Sequence, residues 1–471
     1  MNNGRKGGTL EDLCFRRRED TSLLRSKRRE EMMKVQRGMY SGSLVSETTM
    51  KDFLMELDCA QGKDEITQIE VLKKVSVSLG DENVILQIDI DQMVKHLKHF
   101  IETSANLEII KLTLICLSSL SIHKRCLDTL IQNGCQFDVF NAIQTSSGDI
   151  VNIGVTTLAN LVFDDVSVRD QLISMKLIEM LSTKLVDLRT LSYLYECLLQ
   201  TTPLMSIKNV MKLIPMISTF VTEKVGYSCV RNILHYESLH LDMNIVEIIR
   251  EVHKEAWVDR DAFKCIGNVY AYKHTQLVTM FLDETFSLIK MVSTNFLEEM
   301  SQATFVDEEF LRTFLWVCGN IVACTQELQT NQAEAVLSQF IDSPICCVLV
   351  LSILKQNASV AREAFKTLST VISVSQNIPL CISKLGEIPD FFDVFQVIFN
   401  VISDLEDILD FFQVLFIVVS TRNMDWINKL NQLNVFQTLQ NYTTHTNLQI
   451  AGMAQNIIRV GVMCSEDGFE L

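Results

Sequence analysis

The feature that most constrains this sequence is an apolar pattern of helical period that returns along the chain. In the stretch TQIEVLKKVSVSL, at Thr67–Leu79, apolar residues follow one another at intervals of three or four. That spacing places them on one face of an α-helix and predicts amphipathic helices that pack on their neighbours. The same pattern recurs at Ile88–Phe100, Leu107–Leu120, Ile150–Leu161, Leu188–Leu199 and Val360–Ile372.

Turn-forming residues are scarce. The 471 residues include 17 glycines and 5 prolines, too few for an all-β sandwich or barrel or for long disordered linkers. The sequence has neither a strand–helix alternation nor a hairpin signal. We therefore predict an all-α fold, either as about three domains or as one elongated repeat array.

The cysteines and the apolar runs indicate where such a chain resides. Fourteen scattered cysteines without a signal peptide are typical of reduced thiols in an intracellular protein. The longest apolar runs, near Pro344–Leu354 and Phe411–Val419, are too short to cross a bilayer. We expect no transmembrane segment.

Signals for catalysis, cofactors and metals are absent. The sequence has no G-x-x-x-x-G-K-[ST], no G-x-G-x-x-G and no C-x-x-C. Cys346-Cys347 and the pair Cys318 and Cys324 lie among apolar residues and are predicted to be core thiols. The two histidines of KHLKH, at 96 and 99, lack a third metal ligand and indicate an exposed basic face. We expect no enzyme, no cofactor and no metal, although spacing alone leaves open a Cys–His dyad assembled by folding.

Charge is distributed unevenly. Residues 1–38 hold 11 Lys/Arg and 6 Asp/Glu, a net charge of +5, whereas the rest holds 31 against 52, a net charge of −21. An acidic body repels nucleic acid and anionic membranes and attracts basic partners. The basic arm is either a recognition segment or a solvated charged tail.

Three predicted helices share a short core, in which a small residue is followed by Asn and then by an aliphatic residue. The cores are Leu158–Leu161 (LANL), Ile266–Val269 (IGNV) and Cys318–Ile321 (CGNI). Asn is a mediocre helix former because its amide competes for backbone hydrogen bonds. Two interpretations follow: the amides face a groove and bond an extended ligand, or they bond between neighbouring helices.

Residues 4–37, GRKGGTLEDLCFRRREDTSLLRSKRREEMMKVQR, resemble the importin-β-binding segment of importin alpha, the adaptor for nuclear import. The shared features are a basic start, an arginine triplet and the block Leu24–Glu31. The resemblance implies a helix from Thr21 or Ser22 to about Lys34 that presents its cations to an acidic partner. The implied importin-β-binding residues are Arg16, Arg17, Arg18, Arg25, Lys27, Arg28 and Arg29.

The remainder resembles the body of the same family, a right-handed superhelical solenoid of about ten armadillo repeats of about 42 residues, each with three helices. The family's third helices carry Trp-x-x-x-Asn, which puts both side chains on one helix face. Trp316 and Asn320 keep this pattern, and Lys264 replaces the indole four residues before Asn268. The Trp-equivalent positions are then Ile115, Thr156, Tyr193, Cys229, Lys264, Trp316 and Lys366, six steps over 251 residues.

Two further matches complete the implied binding sites. Asn160 with Asp164 is similar to the family's major signal-binding site, and Glu363 to an acidic residue of its minor site. The implied cargo-signal residues are Trp316, Asn320, Glu363, Asn160, Asp164 and Asn268. The departures are large, because most of the Trp positions are lost. We therefore expect a divergent member whose minor site is better preserved than its major site.

The resemblance implies an organisation and a function. We expect a basic arm at 1–50, an armadillo array at 51–460 and an acidic tail at 461–471. The chain would be a nuclear import adaptor that binds basic nuclear localisation signals in its concave groove and importin beta through its arm. It would shuttle between cytoplasm and nucleus, with a nuclear export receptor as a further partner, and bind neither nucleic acid nor membrane. The alternative is an armadillo scaffold or assembly factor with other ligands.

Overall fold

A computed structural model describes residues 50–79, 82–201, 204–223, 225–236, 243–272, 274–302, 306–328, 330–375, 377–402 and 404–466. The basic arm, its expected helix and its seven importin-β-binding residues lie outside these ranges. Within them the chain is all-helical and contains no strand. The predicted fold class is confirmed at this level, and the architecture is compatible with an α-solenoid. The chain divides into two compact units, Met1–Ser238 and Leu239–Leu471.

The described part of unit 1 contains thirteen α-helices. In chain order they are α1 (Met50–Ala60), α2 (Glu65–Ser78), α3 (Glu82–Gln87), α4 (Ile90–Thr103), α5 (Leu107–Ser121), α6 (Lys124–Gln132), α7 (Cys135–Thr145), α8 (Asp149–Asp164), α9 (Val166–Ser174), α10 (Leu177–Leu181), α11 (Leu188–Gln200), α12 (Ile207–Thr222) and α13 (Tyr227–Ile233).

Unit 2 contains a further thirteen α-helices within the described ranges, and a short 3₁₀ turn at Thr325–Glu327. The helices are α14 (Met243–Glu255), α15 (Arg260–Ala271), α16 (Thr275–Ser301), α17 (Glu308–Cys324), α18 (Thr330–Ile341), α19 (Ile345–Lys355), α20 (Ala358–Val374), α21 (Ile378–Gly386), α22 (Asp393–Ile398), α23 (Leu405–Ser420), α24 (Met424–Gln432), α25 (Val435–Gln440) and α26 (Leu448–Glu466).

The helices lie where the apolar pattern predicts them. The ends of the six predicted stretches fall within three residues of the ends of α2, α4, α5, α8, α11 and α20. Many helices of the chain begin directly after a residue whose side chain accepts hydrogen bonds from the otherwise unpaired amides of the first turn. Residues that cap in this way include Asp64, Asn106, Asp187, Asp259, Asp307 and Asn357.

In unit 1, five helices pack side by side in chain order, and we call them the unit 1 ladder. They are α2, α5, α8, α11 and α13, and each contacts the next. Their first residues, at 65, 107, 149, 188 and 227, are 42, 42, 39 and 39 residues apart. The helices between them, such as α4 and α7, pack against the ladder from outside the row. A regular row of this kind is typical of a helical repeat protein.

Unit 2 contains a second row, the unit 2 ladder, formed by α15, α17, α20, α23 and α26. Their first residues, at 260, 308, 358, 405 and 448, are 48, 50, 47 and 43 residues apart. The longest intervening helix is α16, with 27 residues between α15 and α17. It accounts for the longer step from position 264 to position 316 that the sequence register contains.

Polar contacts tie successive ladder helices together near their N-terminal ends. In unit 1 the contacts are Asn106 with Glu65, Lys111 with Asp149, and the Asp187 amide with Asn152. In unit 2 they are Arg260 with Glu309, Asn357 with Glu308, and Arg362 with Asp404. Exposed contacts of this kind contribute little stability each, but together they hold neighbouring helices in one register.

No single helix in the described ranges has both the length and the apolarity to cross a membrane. Taken together, the helices Gln332–Ile341 and Ile345–Lys355 have the length and composition of a membrane span, but a bend of 53° separates them. The second of the pair is largely core, since Ile345, Val348 and Leu349 are fully buried.

Candidate functional site

The first candidate residue, Asn160, lies on α8 in the unit 1 ladder and is only 7% exposed. Its Nδ2 donates to Oγ of Ser121 on α5 over 2.9 Å, and its Oδ1 accepts from the hydroxyl of Tyr193 on α11 over 3.0 Å. The amide therefore joins three successive ladder helices. This geometry matches the second interpretation of the Asn motif, a bond between neighbouring helices, because a buried amide needs partners.

The other unit 1 candidate, Asp164, is the last residue of α8, and its side chain lies outside the described part of the structure. The next residue, Asp165, caps α9 by accepting from the amides of Ser167 and Val168 at 2.7 and 3.2 Å. Tyr193, at a Trp-equivalent position, is 8% exposed, and its hydroxyl is committed to Asn160.

In unit 2, Trp316 is half-buried on α17. Its indole lies against Gly267 of α15, the preceding ladder helix. A Cβ at position 267 would lie 2.2 Å from Cζ3 and 2.9 Å from Cε3 of the ring. Only glycine leaves room for the indole there. The sequence motif contained this small residue, but the partner that makes it necessary lies 49 positions away and could not be identified from spacing.

Asn320 follows Trp316 by one helical turn and is half-buried. Its Nδ2 lies 3.5 Å from the carbonyl oxygen of Gly267, at the outer limit of a hydrogen bond. Trp316 and Asn320 thus converge on one residue of α15. Asn268, the next residue of that helix, is 7% exposed and so presents little surface to a ligand. The pairing of Trp316 with Asn320 on one face is as predicted from their spacing.

The third unit 2 candidate, Glu363, is half-buried on α20, the ladder helix after α17. The basic residues beside it in sequence and one turn later, Arg362 and Lys366, pair with carboxylates of α23. Nζ of Lys366 lies 3.0 Å from Oδ1 of Asp407, and Nε of Arg362 lies 3.3 Å from Oδ2 of the same residue. The side chain of Asp407 is 5% exposed. Sequence reasoning did not find this cluster, because its members come from two helices and lie 41 and 45 positions apart in the sequence.

The histidines and cysteines that a metal could use in principle have other partners or are buried. In the described ranges, no group of three His, Cys, Asp or Glu side chains is arranged to hold a metal ion. Nδ1 of His96 bonds Nε2 of Gln61 at 2.8 Å. The twelve cysteines whose side chains the structure describes are free thiols, and burial raises the pKa of the Cys126 and Cys381 thiols to about 11. Such thiols carry little thiolate at neutral pH.

Comparisons with known proteins identify the fold alone. Neither a protein-family profile nor a curated protein sequence matches the chain. Among solved structures, the crystal structure of an engineered protein, a target of the Northeast Structural Genomics Consortium, is similar with a TM-score of 0.64 and 14% sequence identity. The match covers 87% of this chain and 99% of that chain. A second structure, described as a phosphorylation switch that controls the interaction between cadherin and beta-catenin, has a TM-score of 0.36 and 12% identity over 88% of this chain and 99% of that chain.

Proposed function

We propose that this chain is a nuclear import adaptor of the importin alpha kind, with armadillo repeats and an N-terminal arm that binds importin beta. Two features support the armadillo assignment: the ladders contribute five helices each, and the helices of the unit 1 ladder begin 39–42 residues apart, close to the repeat length of about 42 residues. The ordered basic block at residues 4–37 supports the partner. Cargo would be a protein with a basic localisation signal, and the adaptor would shuttle between cytoplasm and nucleus with the help of an export receptor.

The observation that carries the cargo part of the proposal is the half-exposed pair of Trp316 and Asn320, one turn apart, with Glu363 on the next ladder helix. A ligand lysine can lay its aliphatic stem on the indole, an arrangement stabilised by about 0.5–2 kcal/mol. The Asn320 amide can bond the ligand backbone, because its bond to Gly267 is long. Glu363 supplies a carboxylate for the ammonium group.

The unit 1 ladder offers a weaker face for the same ligand. Asn160 already bonds two hydroxyls, so a ligand backbone must displace one of them or use the second amide hydrogen. No ring is available at positions 115, 156 and 229, which hold Ile, Thr and Cys. Asp164 stays a predicted lysine partner.

The experiment that tests the adaptor proposal is a pull-down of the full chain with importin beta. We expect Arg28→Glu with Arg29→Glu to abolish co-purification and nuclear accumulation, since charge-assisted pairs of arginine with carboxylates dominate such interfaces. The matched control is Lys73→Glu with Lys74→Glu, an equal charge reversal at two adjacent exposed residues of α2. The control should bind normally. Unchanged binding of the arginine variant would remove the adaptor proposal.

A second candidate is a helical-repeat scaffold or assembly factor with non-basic ligands. The observation that favours it is the amide of Asn160, which already bonds two hydroxyls of neighbouring helices and leaves the unit 1 ladder poorly equipped for a lysine-rich peptide. A scaffold has no need for a basic arm with this sequence, so deletion of residues 1–40 discriminates between the candidates. If the chain no longer binds importin beta after this deletion, the result supports the adaptor proposal.

A further inference from the structure

Lys366 occupies the ladder position that follows Trp316. Trp316 is the ninth residue of α17, Lys366 is the ninth residue of α20, and the two helices pack together. The residues next to them in sequence fix the register of the two helices. The hydroxyl of Thr367, which follows Lys366, donates to the carbonyl oxygen of Leu315, which precedes Trp316, over 2.8 Å. A peptide that lies across this ladder and places a lysine on the indole therefore continues toward Lys366 in one of its two directions.

The position of Lys366 is not available to a ligand cation. Its Nζ lies 3.0 Å from Asp407, whose side chain is 5% exposed. Arg362 binds the same carboxylate at 3.3 Å and Asp404 at 2.9 Å. Two cations of α20 thus neutralise the carboxylates of Asp407 in α23 and of Asp404, the residue before that helix. Asp410, one turn further along α23, also has a partner within the chain.

We infer that Lys366 determines specificity: when a peptide places a basic residue on Trp316, Lys366 excludes a second basic residue from the adjacent ladder position on α20. The inference rests on the proposed function of Trp316, Asn320 and Glu363. The chain's own ammonium takes the place and the carboxylate that a second ligand lysine would require. A second lysine there meets Lys366 and Arg362 as like charges at close range, without a carboxylate that is not already paired with them.

The spacing at which this restriction acts can be derived. Axes of packed helices lie about 8–10 Å apart, and an extended peptide advances about 3.3 Å per residue. The side chain that reaches the next ladder helix is therefore about three residues from the one on the indole. A lysine three residues away meets Lys366, whereas a lysine near the end of a longer peptide does not.

The test is a titration at fixed salt with three peptides in an Ala/Ser background. The first carries one central lysine, the second adds lysines three residues to either side, and the third carries the same number of lysines with the extra pair at its termini. On the natural chain we expect the second peptide to bind no more than about twofold more tightly than the third. A tenfold advantage on the natural chain would overturn the inference without any variant.

Two lysine variants distinguish an effect of Lys366 on peptide specificity from a general effect of removing one positive charge. Lys366→Met keeps the aliphatic stem and removes the ammonium group. In this variant the second peptide should bind at least about fivefold more tightly than the third. The control Lys290→Met removes one exposed charge from α16 and should leave the advantage unchanged. If Lys366→Met still melts cooperatively and the advantage stays below twofold, Lys366 is a stabilising ion-pair partner only, and the inference is wrong.

The same titration distinguishes this inference from the proposed function. Binding of the one-lysine peptide that is lost with Trp316→Ala supports the site itself, whatever Lys366 does. If the one-lysine peptide does not depend on Trp316, the proposed site is wrong and the inference fails with it.

Discussion

In unit 1 the amide of Asn160 is held at 2.9 and 3.0 Å by hydroxyls of two neighbouring helices, whereas in unit 2 the amide of Asn320 reaches a single carbonyl oxygen at 3.5 Å. Both residues belong to the same short motif of a small residue, Asn and an aliphatic residue. The neighbours make the difference, because Ser121 and Tyr193 supply hydroxyls and Gly267 supplies space for an indole. The helices beside an Asn in a ladder helix therefore decide whether its amide is bonded on both sides or only weakly held.

The largest expected effect comes from filling the space beside the indole. Gly267→Ala places a Cβ 2.2 Å from Cζ3 of Trp316, and we expect it to lower the free energy of unfolding of unit 2 by about 1–3 kcal/mol. The measurement is urea denaturation. The control, Gly452→Ala in α26, meets no atom within 4 Å and should stabilise by up to about 1 kcal/mol through helix propensity. In the double variant, Trp316→Leu should recover part of the unfolding free energy that Gly267→Ala removes. If the effects of the two substitutions on the free energy of unfolding simply add, the contact between the two residues is contradicted.

The next effect tests the two amides directly. Asn160→Ala leaves the Ser121 and Tyr193 hydroxyls without this partner and should destabilise unit 1 by about 1–3 kcal/mol. Asn320→Ala gives up one long bond and should cost less than about 0.5 kcal/mol. A double-mutant cycle of Asn160→Ala with Tyr193→Phe should show coupling in the urea midpoint. Equal costs for the two alanine variants would break the contrast between the ladders.

Binding should show the opposite order. We expect Trp316→Ala with Asn320→Ala to weaken a one-lysine signal peptide by about tenfold or more, or about 1.4 kcal/mol. Asn160→Ala with Asp164→Ala should weaken the peptide by less than about threefold. Titrations at one salt concentration check this, because charge terms are screened. A stronger loss from the unit 1 pair would place the dominant site on the unit 1 ladder.

The smallest effect concerns pH and unit 2 alone. His253 of α14 bonds the Ile249 carbonyl through Nδ1 at 2.8 Å and Oγ1 of Thr285 through Nε2 at 2.9 Å, and it stacks on Phe281. Burial lowers the pKa of this imidazole. As pH falls through the unfolded value of about 6.5, the unfolded chain takes up the proton first, so stability decreases until pH passes the lower folded pKa. Melting temperatures between pH 7.5 and 5.5 should show a decline that His253→Asn reduces; an identical slope in both chains would contradict it.

The helices themselves were predictable from the sequence. The apolar period located α2, α5, α8, α11 and α20 to within three residues, because burial of one face is decided locally, by residues three and four apart. The predicted mean step of about 42 residues is close to the 39–42 residues of the unit 1 ladder, whereas the unit 2 ladder has steps of 43–50 residues. Trp316 and Asn320 were paired correctly, since i, i+4 spacing on a helix places two side chains on one face.

The contacts between helices were not readable in the same way. The deciding contacts join residues that lie 33 to 49 positions apart in the sequence. They are the hydrogen bonds of Asn160 to Ser121 and Tyr193, the packing of Trp316 against Gly267, and the ion pair of Lys366 with Asp407. Spacing along one helix carries no information about which residue the next helix presents. It left both interpretations of the Asn motif open, and packing separated them.

What the sequence determined by itself is the all-α class, the repeat period and the uneven charge, because these depend on composition and on residues within one helical turn. What only the tertiary structure decided is how each polar group is used. The amide of Asn160 is consumed by its neighbours, whereas that of Asn320 is weakly held, and Lys366 is bound to Asp407 beside the indole of Trp316. The physical reason is that a buried polar group must be satisfied by whatever the adjacent helix supplies, and that supply is set by helix packing across about forty residues of sequence.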